Sequence, residues 1–170
     1  MIRMYLLYAL FISLVDKTLI IFSGKPKEEV KCRLTIDNIV SAVFYNGVKL
    51  SVSGDITNWK VVKTFSFYPV DGANLQIVGA DVKSCDGCIC SGLIIECSDG
   101  LTSNLKEWVA YGSDNPNAIP KLHDYTTPCK SNAGFSLKDQ KSNAQKIWAS
   151  NGKKYAWFMR PHIHSCNKSP

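Results

Sequence analysis

The sequence predicts an all-β protein, an antiparallel jelly-roll-type β-sandwich, and three observations carry that expectation. Short runs alternating apolar and polar residues recur along the chain, separated by Gly, Asn and Asp turns. Two of these runs are joined by Asn46-Gly47, a pair that tolerates the positive φ a type I′ turn demands. Past residue 24, no stretch carries the apolar period of an amphipathic helix. With 170 residues, 45% of them hydrophobic and 20% charged, the chain fits one domain with a proper core. That composition excludes intrinsic disorder and a multi-span membrane protein.

Residues 1–23 read as a signal peptide. Arg3 supplies the positive start, and residues 4–15 form an apolar run that Asp16 and Lys17 cut short of a spanning length. A second apolar run, 18–22, leaves the cleavage point open near Ser23-Gly24, with a buried N-terminal element or an uncleaved anchor as the alternatives. The expectation is a secreted protein whose single domain spans residues 24–165, followed by a tail at 166–170. Seven cysteines (Cys32, Cys85, Cys88, Cys90, Cys97, Cys129 and Cys166) suit an oxidising compartment and are all disulfide candidates. Their odd number leaves one thiol unpaired or bonded to another chain.

Residues 30–36 alternate Lys31, Arg33 and Thr35 against Cys32, Leu34 and Ile36, as a half-buried strand does. The hairpin follows. A turn at Asn46-Gly47 sets Tyr45 opposite Val48, Val43 opposite Leu50 and Ser41 opposite Val52. Residues 53–59 form a polar loop closed by Trp59, and 61–68 alternate again with Phe65 and Phe67 on one side. Pro69 and Asp71-Gly72 end that strand, and 75–82 make the next. A cysteine-rich loop, 84–90, precedes the continuous apolar run 92–97, which suits a strand covered on both faces. After a short strand at 108–111, residues 114–141 read as a long irregular connection bridged down through Cys129. Residues 147–149 and 155–160 are expected to close the fold as two strands around a second hairpin-type turn, Asn151-Gly152.

The stretch DNIVSAVFYNGVKLSVSGDITNW, together with Gly79, Ser91-Gly92-Leu93-Ile94, Trp108 and the closing segments around Trp148 and Tyr155, resembles the galactose-binding-domain-like β-sandwich modules of extracellular proteins. The resemblance covers most of residues 30–160. It implies a sandwich of about eight strands that holds glycans or builds extracellular assemblies. The cysteine-rich insert and residues 112–141 depart from that pattern, and both lie in loops.

Charge is uneven along the chain. Residues 121–170 hold nine Lys and Arg against Asp124 and Asp139, a net of +7, whereas residues 1–120 hold eleven against twelve acids, a net of −1. The asymmetry fits an acidic surface such as a sulfated glycan, an anionic lipid or a nucleic acid, or simply a solvated lysine-rich face. Tryptophan rings stack on sugar C–H faces, so Trp59 and Trp108, with Asp55, Asn58 and Asp99 as polar partners, are the candidate ligand-binding residues. Trp148 and Trp157, on the closing strands, are expected in the core. Cys85, Cys88, Cys90 and Cys97 have the ligand types for zinc, but disulfides are the expectation in a secreted chain. His162, His164 and Cys166 alternate as a metal site would, yet at the tail. Asp37 is expected to cap its own turn, with calcium the one cofactor its loop makes possible.

No G-x-S-x-G elbow, H-E-x-x-H pair or phosphate loop occurs, so no enzyme, no catalytic residue and no metal site is expected. The expected function is that of a non-enzymatic extracellular module whose partner is a glycan or matrix component, with homo-oligomers possible, no nucleic acid, and no membrane contact beyond the signal segment. The alternatives are a self-assembling structural subunit linked through an unpaired cysteine, and a small metal-binding extracellular protein.

Overall fold

A computed structural model of the chain describes residues 27–82 and 87–162. The proposed signal segment therefore lies outside the described residues, as do Cys85, His164 and Cys166. Ten strands form two five-stranded antiparallel sheets that pack face to face. They are β1 (Val30–Asp37), β2 (Ile39–Tyr45), β3 (Val48–Lys49), β4 (Lys63–Phe67), β5 (Ala73–Ala80), β6 (Gly92–Cys97), β7 (Val109–Ser113), β8 (Cys129–Lys130), β9 (Ile147–Trp148) and β10 (Tyr155–His162). One sheet, called A here, runs β4-β1-β6-β9-β8; the other, B, runs β3-β2-β5-β10-β7. Successive strands mostly change sheet, which is the sandwich connectivity the turn spacing predicts. The only α-helical turn among the described residues is α1 (Gly87–Cys90).

Period-2 alternation explains the core. Val30, Cys32, Leu34 and Ile36 of β1 meet Val43 and Tyr45 of β2, Leu75 and Ile77 of β5, and Ala156 and Phe158 of β10 between the sheets. Trp108 and Trp148 fill the middle, at 1% and 0% exposure. Their indole N–H groups donate to carbonyls of Thr102 at 2.9 Å and Lys153 at 3.1 Å, so neither ring carries an unpaired donor into the core.

The Asn46-Gly47 turn forms as expected, with φ of 50° and 76°, and sets Tyr45 opposite Val48 and Phe44 opposite Lys49. The hairpin is shorter than its apolar pattern suggested, because β3 has only two residues. A bulge between Val40 and Ala42 shifts the register against β5, so Val40 turns inward and Ser41 outward; the expected Ser41–Val52 pair does not form. The second expected hairpin is also corrected. Asn151-Gly152 carries the chain from sheet A to sheet B, since β9 pairs with β6 and β8 while β10 pairs with β5 and β7. A turn dipeptide specifies a change of direction but not which sheet the next strand joins.

Two disulfides lie wholly within the described residues. Cys32 and Cys97 face each other across β1 and β6, with Cα atoms 4.0 Å apart, and Cys88 of α1 reaches Cys129 of β8. Cys90 is disulfide-bonded as well, its partner lying outside the described residues. Three of the four thiols in the cysteine-rich stretch are thus oxidised, which leaves no zinc knuckle there. The Cys88–Cys129 bridge runs out of the cysteine-rich loop to β8 rather than stapling the loop to itself, and Cys32–Cys97 ties the neighbouring strands β1 and β6. Disulfides of this kind fit an extracellular protein, and no helix among the described residues is long and apolar enough to cross a membrane.

Candidate functional site

Asp55 and Asn58 come together on the loop between β3 and β4, each spent on holding that loop. The Asp55 carboxylate accepts from the Thr57 hydroxyl at 2.7 Å and the Thr57 N–H at 3.0 Å, which holds it below the usual carboxylate range. Asn58 Oδ1 accepts from the Lys60 N–H at 3.0 Å. Beneath them lies Lys63, which alternation on β4 places on the inner face with Phe65 and Phe67. Its ammonium is fully buried and donates to the Asn58 carbonyl at 2.6 Å. Burial pushes its pKa down, and the Asp55 charge opposes that shift. Lys63 is the residue the sequence pattern should have flagged: a lysine at a core position needs a carbonyl or carboxylate nearby.

Trp59 is half-buried and does not point into a ligand pocket with these two residues. Its ring packs 6.4 Å from Phe135, and its carbonyl accepts from Thr35. Asp99 lies toward the other end of β1, where Ser98 N–H bonds the Lys31 carbonyl, and its carboxylate accepts from Leu101 N–H. Trp108 fills the core. The five candidate ligand residues therefore do not converge, and Trp108 has no ring face to offer a sugar.

What the fold does assemble is two different outer faces. On sheet B, residues between core positions turn outward. Ala42, Val78, Trp157 and Tyr111 form one row across β2, β5, β10 and β7; Phe44, Gln76, Met159 and Val109 form the next. Apart from Trp157, every side chain in these rows is only partly buried. Trp157 lies against Tyr111 at 5.7 Å and Tyr155 at 6.4 Å between ring centroids, and Tyr111 lies 6.3 Å from Tyr125. Trp157 is thus buried, as expected, but under aromatic neighbours outside the sandwich core. Tyr125 comes from the irregular connection and crosses to Gln76, whose side-chain amide donates to its hydroxyl at 2.8 Å. Burial raises the Tyr125 pKa, with Asp124 adding to the shift and the Gln76 bond opposing it.

On sheet A the outer face is partly clothed by the chain itself. Residues 131–138 alternate buried and exposed like a strand while pairing with none, and set Ala133, Phe135 and Leu137 over Ile94 of β6. At Gly92 a Cβ would meet the Phe135 ring and the Ser131 hydroxyl at 2.9 Å, so only glycine lets this strap lie so close. Glu96 fastens its far end. One carboxylate oxygen lies 3.1 Å from Arg33 Nε; the other accepts from the Ser142 hydroxyl at 2.6 Å and from the N–H groups of Lys141 and Ser142. Burial pushes the Glu96 carboxyl up, but the Ser142 hydroxyl, the Lys141 N–H and the Arg33 charge outweigh it and hold the group below its ordinary value. A partner for Glu96 was not legible in the sequence, because Ser142 lies 46 residues away.

No group of three His, Cys, Asp or Glu side chains among the described residues is arranged to hold a metal ion. No protein-family model, curated protein or solved structure matches this chain.

Proposed function

We propose that this protein is a secreted, non-enzymatic module that binds a glycan of its extracellular surroundings on the outer face of sheet B. The observation that carries the reading is the two-row aromatic and apolar face, some 14 Å wide across four strands at about 4.8 Å each. Hexose rings stack their C–H faces on such planes. The Tyr111, Tyr125 and Gln76 polar groups are spaced among the rings to orient sugar hydroxyls. An outward-facing, half-buried apolar and aromatic surface of this extent supports a partner, and the disulfides fit an extracellular setting, where glycans are abundant. The resemblance to galactose-binding-domain-like modules points the same way, with the sheet face replacing the dispersed Asp55, Asn58, Trp59 and Asp99 as the ligand contact.

A glycan array with the mature protein tests this. Retention on at least one neutral glycan family is expected, with Tyr111→Ala weakening it about tenfold, or roughly 1.4 kcal/mol. The variant should keep the wild-type melting temperature within a few degrees. No retention on any glycan, or undiminished binding by Tyr111→Ala, contradicts the proposal.

A further inference from the structure

The strap leaves the β4-β1 side of sheet A's outer face open, and that region has a different chemistry. Lys31 and Arg33 stand side by side on β1 as a ridge between two shallow grooves. One groove, about 560 Å³, has Ser51, Ser53, Thr64 and Ser66 along its wall. The other, about 320 Å³, is lined by Glu96, Ser98, Thr102, Lys141 and Ser142. Hydroxyls and cations alternate across the whole strip.

The electrostatics favour an anion. The Lys31 side chain is 77% exposed, and its nearest carboxylate, Glu29, lies 4.0 Å away and also accepts from Ser66. Glu96, the one carboxylate lining either groove, is already occupied by Arg33, Ser142 and the strap's N–H groups. The Lys138 and Lys141 side chains are exposed and make no ion pair among the described residues. Lys60 and Lys146 sit over the Trp59 and Phe135 rings at the strap's border. Six cations (Lys31, Arg33, Lys60, Lys138, Lys141, Lys146) thus share this side with Glu29, Glu96 and Asp139, a net of +3. Lys138, Lys141 and Lys146 against Asp139 supply +2 of that +3, so most of the excess comes from the basic C-terminal part of the chain, which the strap lays beside the cations of β1.

We infer that the Lys31–Arg33 ridge is a second binding site, for a linear saccharide bearing sulfate groups. Sulfates would seat on Lys31 and Lys141, one in each groove, while sugar hydroxyls bond the serine and threonine walls. Charge complementarity selects the anion, and the lack of exposed rings along the grooves disfavours bases, which require stacking. This site lies on the opposite sheet from the aromatic face and shares with it only the extracellular setting.

Calorimetry with a heparin-derived oligosaccharide and its fully desulfated counterpart tests the inference on the mature protein. The sulfated probe should bind, weaken as salt rises, and lose affinity about tenfold or more in Lys31→Glu/Lys141→Glu. Lys121→Glu/Lys154→Glu applies the same charge change to exposed residues away from this ridge and should cost no more than about threefold. Tyr111→Ala should leave the sulfated probe untouched, which separates this site from the aromatic face. Equal binding of both probes, or equal losses in the two charge-reversed variants, overturns it. All four lysines are exposed, so circular dichroism should report unchanged folding.

Discussion

The outer faces of the two sheets begin from the same requirement, since each backs a shared core and must do something with the side chains that alternation turns outward. Sheet A covers its central strand from within the chain: Phe135 and Leu137 sit over Ile94, Glu96 ties down residues 141–142, and the Cys88–Cys129 bridge fixes the strap's entry. Sheet B instead presents Tyr111, Tyr125 and Tyr155 beside a buried Trp157, with Phe44 two strands away on β2. The same alternation thus leaves one sheet sealed and the other open: one outer face is closed by hydrogen bonds and a cross-link, while the other keeps half-buried tyrosine rings at its surface.

The largest effect should come from unpinning the strap. Replacing Cys88 and Cys129 by serine reopens a loop of 41-residue separation, a loss of about 4 kcal/mol in the chain-entropy account. Urea unfolding should record it, and limited proteolysis should then cut within residues 131–145. A change confined to sheet B would show the bridge does not serve the strap. Next comes a direct contrast between the faces. Phe135→Ala should cost about 3 kcal/mol, because its ring is buried against Ile94 and Leu137, whereas Tyr111→Ala, on the open face, should cost no more than about 1 kcal/mol. Similar losses would erase the distinction.

Below the loss at Phe135 comes an effect of pH. The Glu96 carboxyl is held below its ordinary value of 4.5 in the folded protein. Its contribution is therefore fully present above pH 4.5 and is lost as the pH falls through the lower folded-state value. Glu96→Gln should lower stability at neutral pH by about 2 kcal/mol and flatten the acid limb of the melting-temperature profile. An unchanged acid limb would mean the carboxylate does not fasten the strap.

The fold was legible where local rules decide it. Alternation along β1, the continuous apolar run of β6, the positive φ of Asn46-Gly47, and the irregularity of residues 114–141 all follow from neighbouring residues. It was illegible where distance decides. The partner of Cys129, the sheet that β10 joins, and the cover over Ile94 depend on segments tens of residues apart. The candidate site suffered most. Trp59 and Trp108 stood out as large rings near polar residues, yet packing claimed both, while Tyr111, Tyr125 and Tyr155 form a surface only because β7, β10 and a crossing loop meet on one face. Lys63 could have been found earlier, since alternation with Phe65 and Phe67 already put it inside.

Which thiols are joined decides the pinned strap and the extracellular setting together. Non-reducing peptide mapping of material recovered from culture medium should find Cys32 bonded to Cys97 and Cys88 bonded to Cys129. Any other pairing of those four, or recovery of them as free thiols in cytosol, would contradict both the pinned strap and the extracellular setting.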